Sequence, residues 1–244
     1  SGASGDKKEI KMGVTAGPHA EVMEEVAKEA AKQGITIKVV EFNDYVQPNK
    51  ALAEGDLDMN SMQHQPYMDN VVKKQGLKIT SIGKTIILPM AVYSHKYKDI
   101  KDVADGAKVT IPNDPTNEAR ALGLLEFNGL LTLEDTKDQK ATVLNIAENP
   151  HKFDFVEVEA AQVPRTLADV DLGVINSNYA LQAGTDVVGT PIAYESTEVA
   201  YPNIIAVREG DDREELKTLV EVLQGDEVVN FINETYKGAV VPTK

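Results

Sequence analysis

The chain has 244 residues, enough to bury a large core as one big domain or two modest ones, and a formal net charge of −14. That charge argues against nucleic acid and an anionic membrane surface as partners, since both need lysine and arginine patches. No apolar run is long enough to span a bilayer. The absence of cysteine excludes disulfides, thiol catalysis and thiolate metal sites.

The opening SGASGDKKE reads as a flexible tether. No signal peptide precedes it, which fits either a cytosolic protein or a mature, trimmed one. EIKMGVT (9–15) reads as a buried strand and AGPHAEVMEEVAKEAAKQG (16–34) as the helix after it, with Pro18 in the first turn and Gly34 closing the far end. ITIKVVEF (35–42) has the alternation and β-branching of a second strand. A helix from about Pro48 to Glu54, a short strand through DLDMNSM and a helix from about Pro66 to Gln75 continue the alternation. That rhythm indicates a parallel sheet covered by helices.

The rhythm stops at ITSIGKTIILPMAVYSHKYK (79–98), two strand-like runs punctuated by Gly83 and Pro89. It restarts with a strand at 107–114 and a helix at 115–129. A strand at 153–160, a helix at 163–171 and a strand running into a helix at 172–184 follow. After YPNIIAVRE (201–209), two amphipathic helices are expected at 211–224 and 226–237. Two restarts of one α/β pattern predict two domains, with the chain returning to the first through 195–209.

No GxSxG, HExxH or GxxxxGK[ST] pattern is present, and His19, His64, His95 and His151 are never spaced as helical metal ligands. Paired carboxylates abound, but in so acidic a chain most are solvated faces. A hydrolase or metalloenzyme is therefore unsupported. IPNDPTNEAR (111–120) ends a strand and enters a helix, the place where open α/β sheets hold ligands. Asn113, Asp114, Thr116 and Asn117 are able to cap that helix and leave backbone N–H groups for an anion. Arg120, one turn further in, suits a carboxylate; the alternative is a plain helix cap with a surface arginine. Asn176 follows an apolar strand end and Asn203 sits inside a strand-like run, where internal backbone or a bound amino acid would satisfy each amide. The stretch 42–70 gathers His64, Tyr45, Tyr67 and four asparagines, as polar turns or as the lining of a pocket.

VEFNDYVQPNKALAEGDLDMNSMQHQPY, VTIPNDPTNEARAL, EAAQVPR, VINSNYA and YPNIIAVRE occur in this order, and together they resemble the MetQ/NlpA family of methionine-binding lipoproteins. The likeness runs from about residue 9 to residue 240. It implies an α/β, two-lobed, type II-like periplasmic-binding-protein fold with a ligand cleft between the lobes. The lobes would be 9–90 with 201–244, and 91–200, joined by crossover segments near 88–95 and 198–204. Residues 1–8 would be the tether following a lipidated cysteine absent from this chain, holding an extracytoplasmic protein to the cell membrane.

The same likeness implies that Arg120 grips a ligand carboxylate with Asn176 helping to orient it, and that Asn203 accepts from the α-amino group. His64, Tyr67 and Tyr45 would line the side-chain pocket, with Met62 and Asn117 in the ligand-binding set. Arg165 is a second candidate for the carboxylate, or a structural ion pair at a helix start. Two departures stand out: Met62 replaces an aromatic two places before the histidine, and Leu88 replaces one before Pro89. The expected function is a receptor that gives L-methionine to an ABC permease, with no cofactor, metal or catalytic residue. D-methionine, a methionine-containing dipeptide or another apolar amino acid is the alternative ligand. An enzyme, sensor or adhesin on the same scaffold is the different-class alternative, with His64 the one residue suited to acid–base work.

Overall fold

In the computed structural model, residues 8–135, 140–196 and 200–243 are described. The expected tether lies outside them, except for Lys8, which opens the first strand. The chain starts with β1 (Lys8–Thr15), α1 (Pro18–Ala31), β2 (Ile35–Phe42), α2 (Gln47–Glu54), β3 (Met59–His64), α3 (Gln65–Gln75) and β4 (Ile79–Ile87). It continues through β5 (Ala91–Tyr93), β6 (Lys108–Pro112), α4 (Pro115–Phe127), β7 (Thr132–Leu133), β8 (Ile146–Glu148) and β9 (Asp154–Val158). Next come α5 (Val163–Thr166), β10 (Leu172–Ile175), α6 (Ser177–Ala183), α7 (Thr185–Val188) and β11 (Ala193–Tyr194). It ends with β12 (Pro202–Arg208), α8 (Glu214–Leu223), α9 (Asp226–Tyr236) and β13 (Val241–Pro242). Two compact units result: unit 1 runs to Leu88 and resumes at Tyr201, and unit 2 is Pro89–Ala200.

Unit 1 is built on a six-stranded sheet in the order β13-β4-β12-β3-β1-β2. β1 runs parallel to β2 and β3, while β12 lies antiparallel between β3 and β4. Period-two alternation splits β12 between two cores. Ile205 and Val207 join Ile10, Met12 and Val14 of β1 beneath α1 and α8, while Ile204 and Ala206 join Leu52, Leu57 and Met68. The α1 helix starts where Gly17, at φ 102, turns the chain into Pro18 at the first helical position. Leu88, which stands where the family likeness expects an aromatic, is buried with residues of α1 and α8.

Gly83 does not interrupt the chain. It lies within β4, opposite Ile205. A Cβ added there would stand 2.7 Å from Cγ1 of Val220 on α8. Valine is stiff at χ1 and has little room to yield, so the glycine is there to let α8 approach the sheet. Gly83→Ala should destabilise unit 1 by about 1–3 kcal/mol. A urea midpoint unchanged from the parent chain would rule out this close approach.

Unit 2 has a five-stranded sheet, β11-β5-β10-β6-β9, in which β6 is parallel to both β9 and β10. Leu122, Leu124 and Leu125 of α4 pack with Val109 and Ile111 of β6 and with Leu172 and Val174 of β10. The helix expected at 163–171 is only the single turn α5. Beyond it, the carboxylate of Asp171 accepts from the backbone N–H of Lys108 at 2.8 Å, which ties the chain to β6 rather than to another helical turn.

Candidate functional site

In unit 1, the polar residues gather where β1 and β3 end, where α1 and α3 begin and where β12 starts. Asn203 lies opposite His64 in the β12–β3 ladder. His64 caps α3: its Nδ1 accepts from the backbone N–H of Tyr67 at 3.1 Å. An accepting ring nitrogen carries no proton, so Nε2 holds it. A row of rings extends from this histidine. Tyr67 lies 6.4 Å from it edge-on, Tyr201 lies 5.7 Å away on a tilted plane, and Tyr45 stands 5.7 Å beyond Tyr67. The three tyrosines are half-buried, so part of each ring remains accessible. Met62 is buried in β3, two residues before His64.

The asparagines of the same stretch divide by role. Asn49 donates to Oε1 of Gln63 and receives N–H from both Gln63 and Asn60. Asn60 also donates to the carbonyl of Pro48, and its own Oδ1 receives from Gln63. These buried amides satisfy one another and fix α2 against β3. They have a structural role.

Behind Asn203 stands a residue that the sequence considered only as a metal ligand. His19, 1% exposed, reaches Oδ1 of Asn203 through Nε2 and the Ser61 hydroxyl through Nδ1, both at 3.1 Å. Burial pulls its pKa down to about 4, partly opposed by the Asn203 hydrogen bond, so the ring is neutral at pH 7. Asn203 thus already has a donor on its oxygen, and its Nδ2 makes no hydrogen bond among the described residues.

In unit 2, Asp114 caps α4, its Oδ2 accepting from the backbone N–H of Asn117 at 3.2 Å and from Nδ2 of Asn117 at 2.8 Å. Burial raises the Asp114 pKa, against the pull of those hydrogen bonds. The remaining Oδ1 of Asn117 accepts from Nδ2 of Asn176 at 3.0 Å, which fixes the second amide. Oδ1 of Asn176 is buried and makes no hydrogen bond among the described residues. An unmet acceptor of this kind costs about 1–3 kcal/mol, a penalty that a bound N–H donor would remove.

Arg120 is buried rather than a surface arginine. Its Nε donates to Oε2 of Glu195 at 2.9 Å and its Nη2 to Oε1 at 2.6 Å, with side-chain exposures of 7% and 4%. The backbone N–H of Met90 also donates to Oε1 of Glu195. Arg165 is exposed on α5, apart from this cluster, and holds no ion pair among the described residues. A cavity of about 340 Å³ borders the Arg120–Glu195 pair along α4, but its lining includes neither Asn117 nor Asn176.

The structure therefore brings Tyr45, His64, Tyr67 and Asn203 together in unit 1 and links Asn117 to Asn176 in unit 2. Sequence reasoning missed Glu195, Tyr201 and the role of His19. Tyr201 had a signal, since it directly precedes the PNIIAV strand. Glu195 had a weaker one, an acid closing an otherwise apolar IAY run. Among the described residues, no three His, Cys, Asp or Glu side chains are grouped to hold a metal ion. No described helix is long and apolar enough to cross a membrane.

Known proteins are similar to this chain over nearly its whole length. The NlpA lipoprotein profile matches residues 10–244. The chain belongs to the NlpA lipoprotein family. It is 43% identical over 242 residues to the D-methionine-binding lipoprotein MetQ of Escherichia coli K12, covering 97% of this chain and 89% of that protein. A nutrient-binding protein from Burkholderia cenocepacia, solved bound to methionine, is 51% identical with a TM-score of 0.92, over 96% of this chain and all of that one. An ABC-transporter periplasmic substrate-binding protein from Coxiella burnetii is 39% identical with a TM-score of 0.91, again over 96% of this chain and all of that one. The α/β, periplasmic-binding-protein-like fold expected from the sequence is the fold of these neighbours.

Proposed function

We propose that this chain is an extracytoplasmic receptor for L-methionine or a close derivative, delivering it unchanged to an ABC permease. The observation that carries the proposal is the buried Oδ1 of Asn176, held by Asn117 and lacking a donor among the described residues. A zwitterion taken from water needs hydrogen bonds at both charged ends, or desolvation defeats binding. In this reading Oδ1 of Asn176 suits an α-amino group and Nδ2 of Asn203 suits a carboxylate. Those roles reverse the ones the family likeness implied, because Nε2 of His19 holds the oxygen of Asn203, whose Nδ2 makes no hydrogen bond among the described residues. Arg120 supplies positive charge for the carboxylate from a guanidinium whose plane Glu195 sets. Tyr45, Tyr67, His64 and Tyr201 give the thioether the aromatic surface that sulfur favours, with Met62 behind them. A lipid anchor preceding the chain would hold the receptor at the membrane, as the family's lipoprotein character supports.

Relatives named for D-methionine favour the D-enantiomer as a second reading. Calorimetry with L-methionine, D-methionine, a methionine-containing dipeptide, leucine and norleucine separates these ligands. The bound ligand should raise the melting temperature, since it binds the native state alone. Absence of a shift with every methionine derivative would refute the proposal. Asn176→Ala should weaken binding by about 1–3 kcal/mol while costing the ligand-free fold less, because it removes an unmet acceptor together with one hydrogen bond. Unchanged affinity in that variant would remove Asn176 from the site.

A further inference from the structure

We infer that His19 is a positioning residue for ligand recognition: it fixes the Asn203 amide so that the NH2 group, and not the oxygen, faces the carboxylate of an amino-acid ligand. This rests on the reading of Asn203 as a ligand-binding group. A carboxamide is nearly symmetric in shape, and turning it over exchanges donor and acceptor with little steric change. Its neighbours must therefore set its polarity. Oδ1 of Asn203 only accepts, so Nε2 of His19 must carry the proton. In a neutral ring Nδ1 is then an acceptor, and the Ser61 hydroxyl donates to it. Ser61 on β3, His19 in the first turn of α1 and Asn203 on β12 form one directed chain of hydrogen bonds, O–H to Nδ1 and N–H to Oδ1. All three residues are buried, so water does not compete for any link.

The opposite tautomer would invert the outcome. With the proton on Nδ1, Nε2 would accept from the Asn203 NH2, and the amide oxygen would meet the ligand. That oxygen repels a carboxylate and suits an ammonium or an amide N–H. The placement of one proton within unit 1 thus decides which end of a zwitterion Asn203 takes.

Two measurements test this. In the intact protein at pH 7, long-range proton–nitrogen NMR of His19 should report the Nε2–H tautomer. The Nδ1–H tautomer would overturn the inference, whatever the ligand proves to be. The second measurement compares L-methionine with L-methioninamide by calorimetry in the parent chain and in His19→Gln. Glutamine places an amide where Nε2 was, able to donate or accept, so the bond persists but no longer fixes the polarity. The preference for the carboxylate over the amide should fall about tenfold, at a melting temperature close to that of the parent. Equal weakening for both ligands, leaving the preference intact, would mean that His19 only supports the fold and would overturn the inference. A parent chain that binds neither ligand would overturn L-methionine as the ligand of the proposed function, while the tautomer would still report on His19.

Discussion

Arg120→Ala is expected to lower folding stability by about 3–5 kcal/mol, besides abolishing tight ligand binding. The removed guanidinium leaves the Glu195 carboxylate in place, 4% exposed, with the Met90 N–H as its remaining hydrogen bond. A buried charge stripped of its partner loses the compensation that made its desolvation tolerable. Glu195→Ala should also destabilise the fold, by removing the two-pronged acceptor of a buried cation. Replacing both together, Arg120→Met with Glu195→Leu, should recover much of the loss, because neither charge is then stranded. That double variant should still bind methionine poorly. Urea unfolding of the four chains checks the pattern. An Arg120→Ala chain as stable as the parent would show that the pair does not hold unit 2.

The second large effect is a dependence of stability on pH through His19. Its pKa is about 4 in the folded state against an ordinary value of 6.5. Between those limits the unfolded chain binds a proton that the folded chain refuses, so folding stability rises with pH. The contribution is complete above pH 6.5 and is lost as pH falls through 4, roughly 3 kcal/mol in all. Glu118 works with the opposite sign. Burial and a hydrogen bond with Glu157 push its carboxyl up to about 8, so its contribution is full below 4.5 and fades as pH rises through 8. Subtracting the pH profile of His19→Gln from that of the parent isolates the histidine. A difference that stays flat from pH 4 to 6.5 would mean that His19 is not buried as a neutral ring.

Much of this fold is legible in the sequence because periodicity and punctuation agree along it. Pro18 and Pro66 each open a helix at a permitted position, and the two final helices lie within the expected spans. What escaped was set by contacts distant in sequence. Gly83 reads as a break until Val220, far along the chain, is seen to press on it. Leu88 departs from the family pattern, and only the fold shows that it packs with residues of α1 and α8. The candidate site residues Tyr45, His64 and Tyr67 stand out as aromatic and polar tips after strands, a local signal. Glu195 and His19 do not, because each acts through a partner 75 or 184 positions away. Composition also overstates the asparagines: Asn49 and Asn60 belong to a closed amide network with Gln63, indistinguishable in sequence from ligand-facing amides.

The place of β12 bears on how the chain acquires its structure. This strand fills an interior position of the unit 1 sheet, between β3 and β4, yet it is encoded after the whole of unit 2. A chain emerging from the ribosome therefore holds β3 and β4 with unsatisfied edges while residues 89–200 are still being made. Unit 2, continuous in sequence, has all its strands in hand first. Unit 1 must wait for a pairing of high contact order, and such pairings form slowly and leave edges prone to aggregation in the interval. For a protein of this family a stop codon near residue 200 would thus do more than shorten the product: it would leave one complete unit attached to a sheet with a gap at its centre.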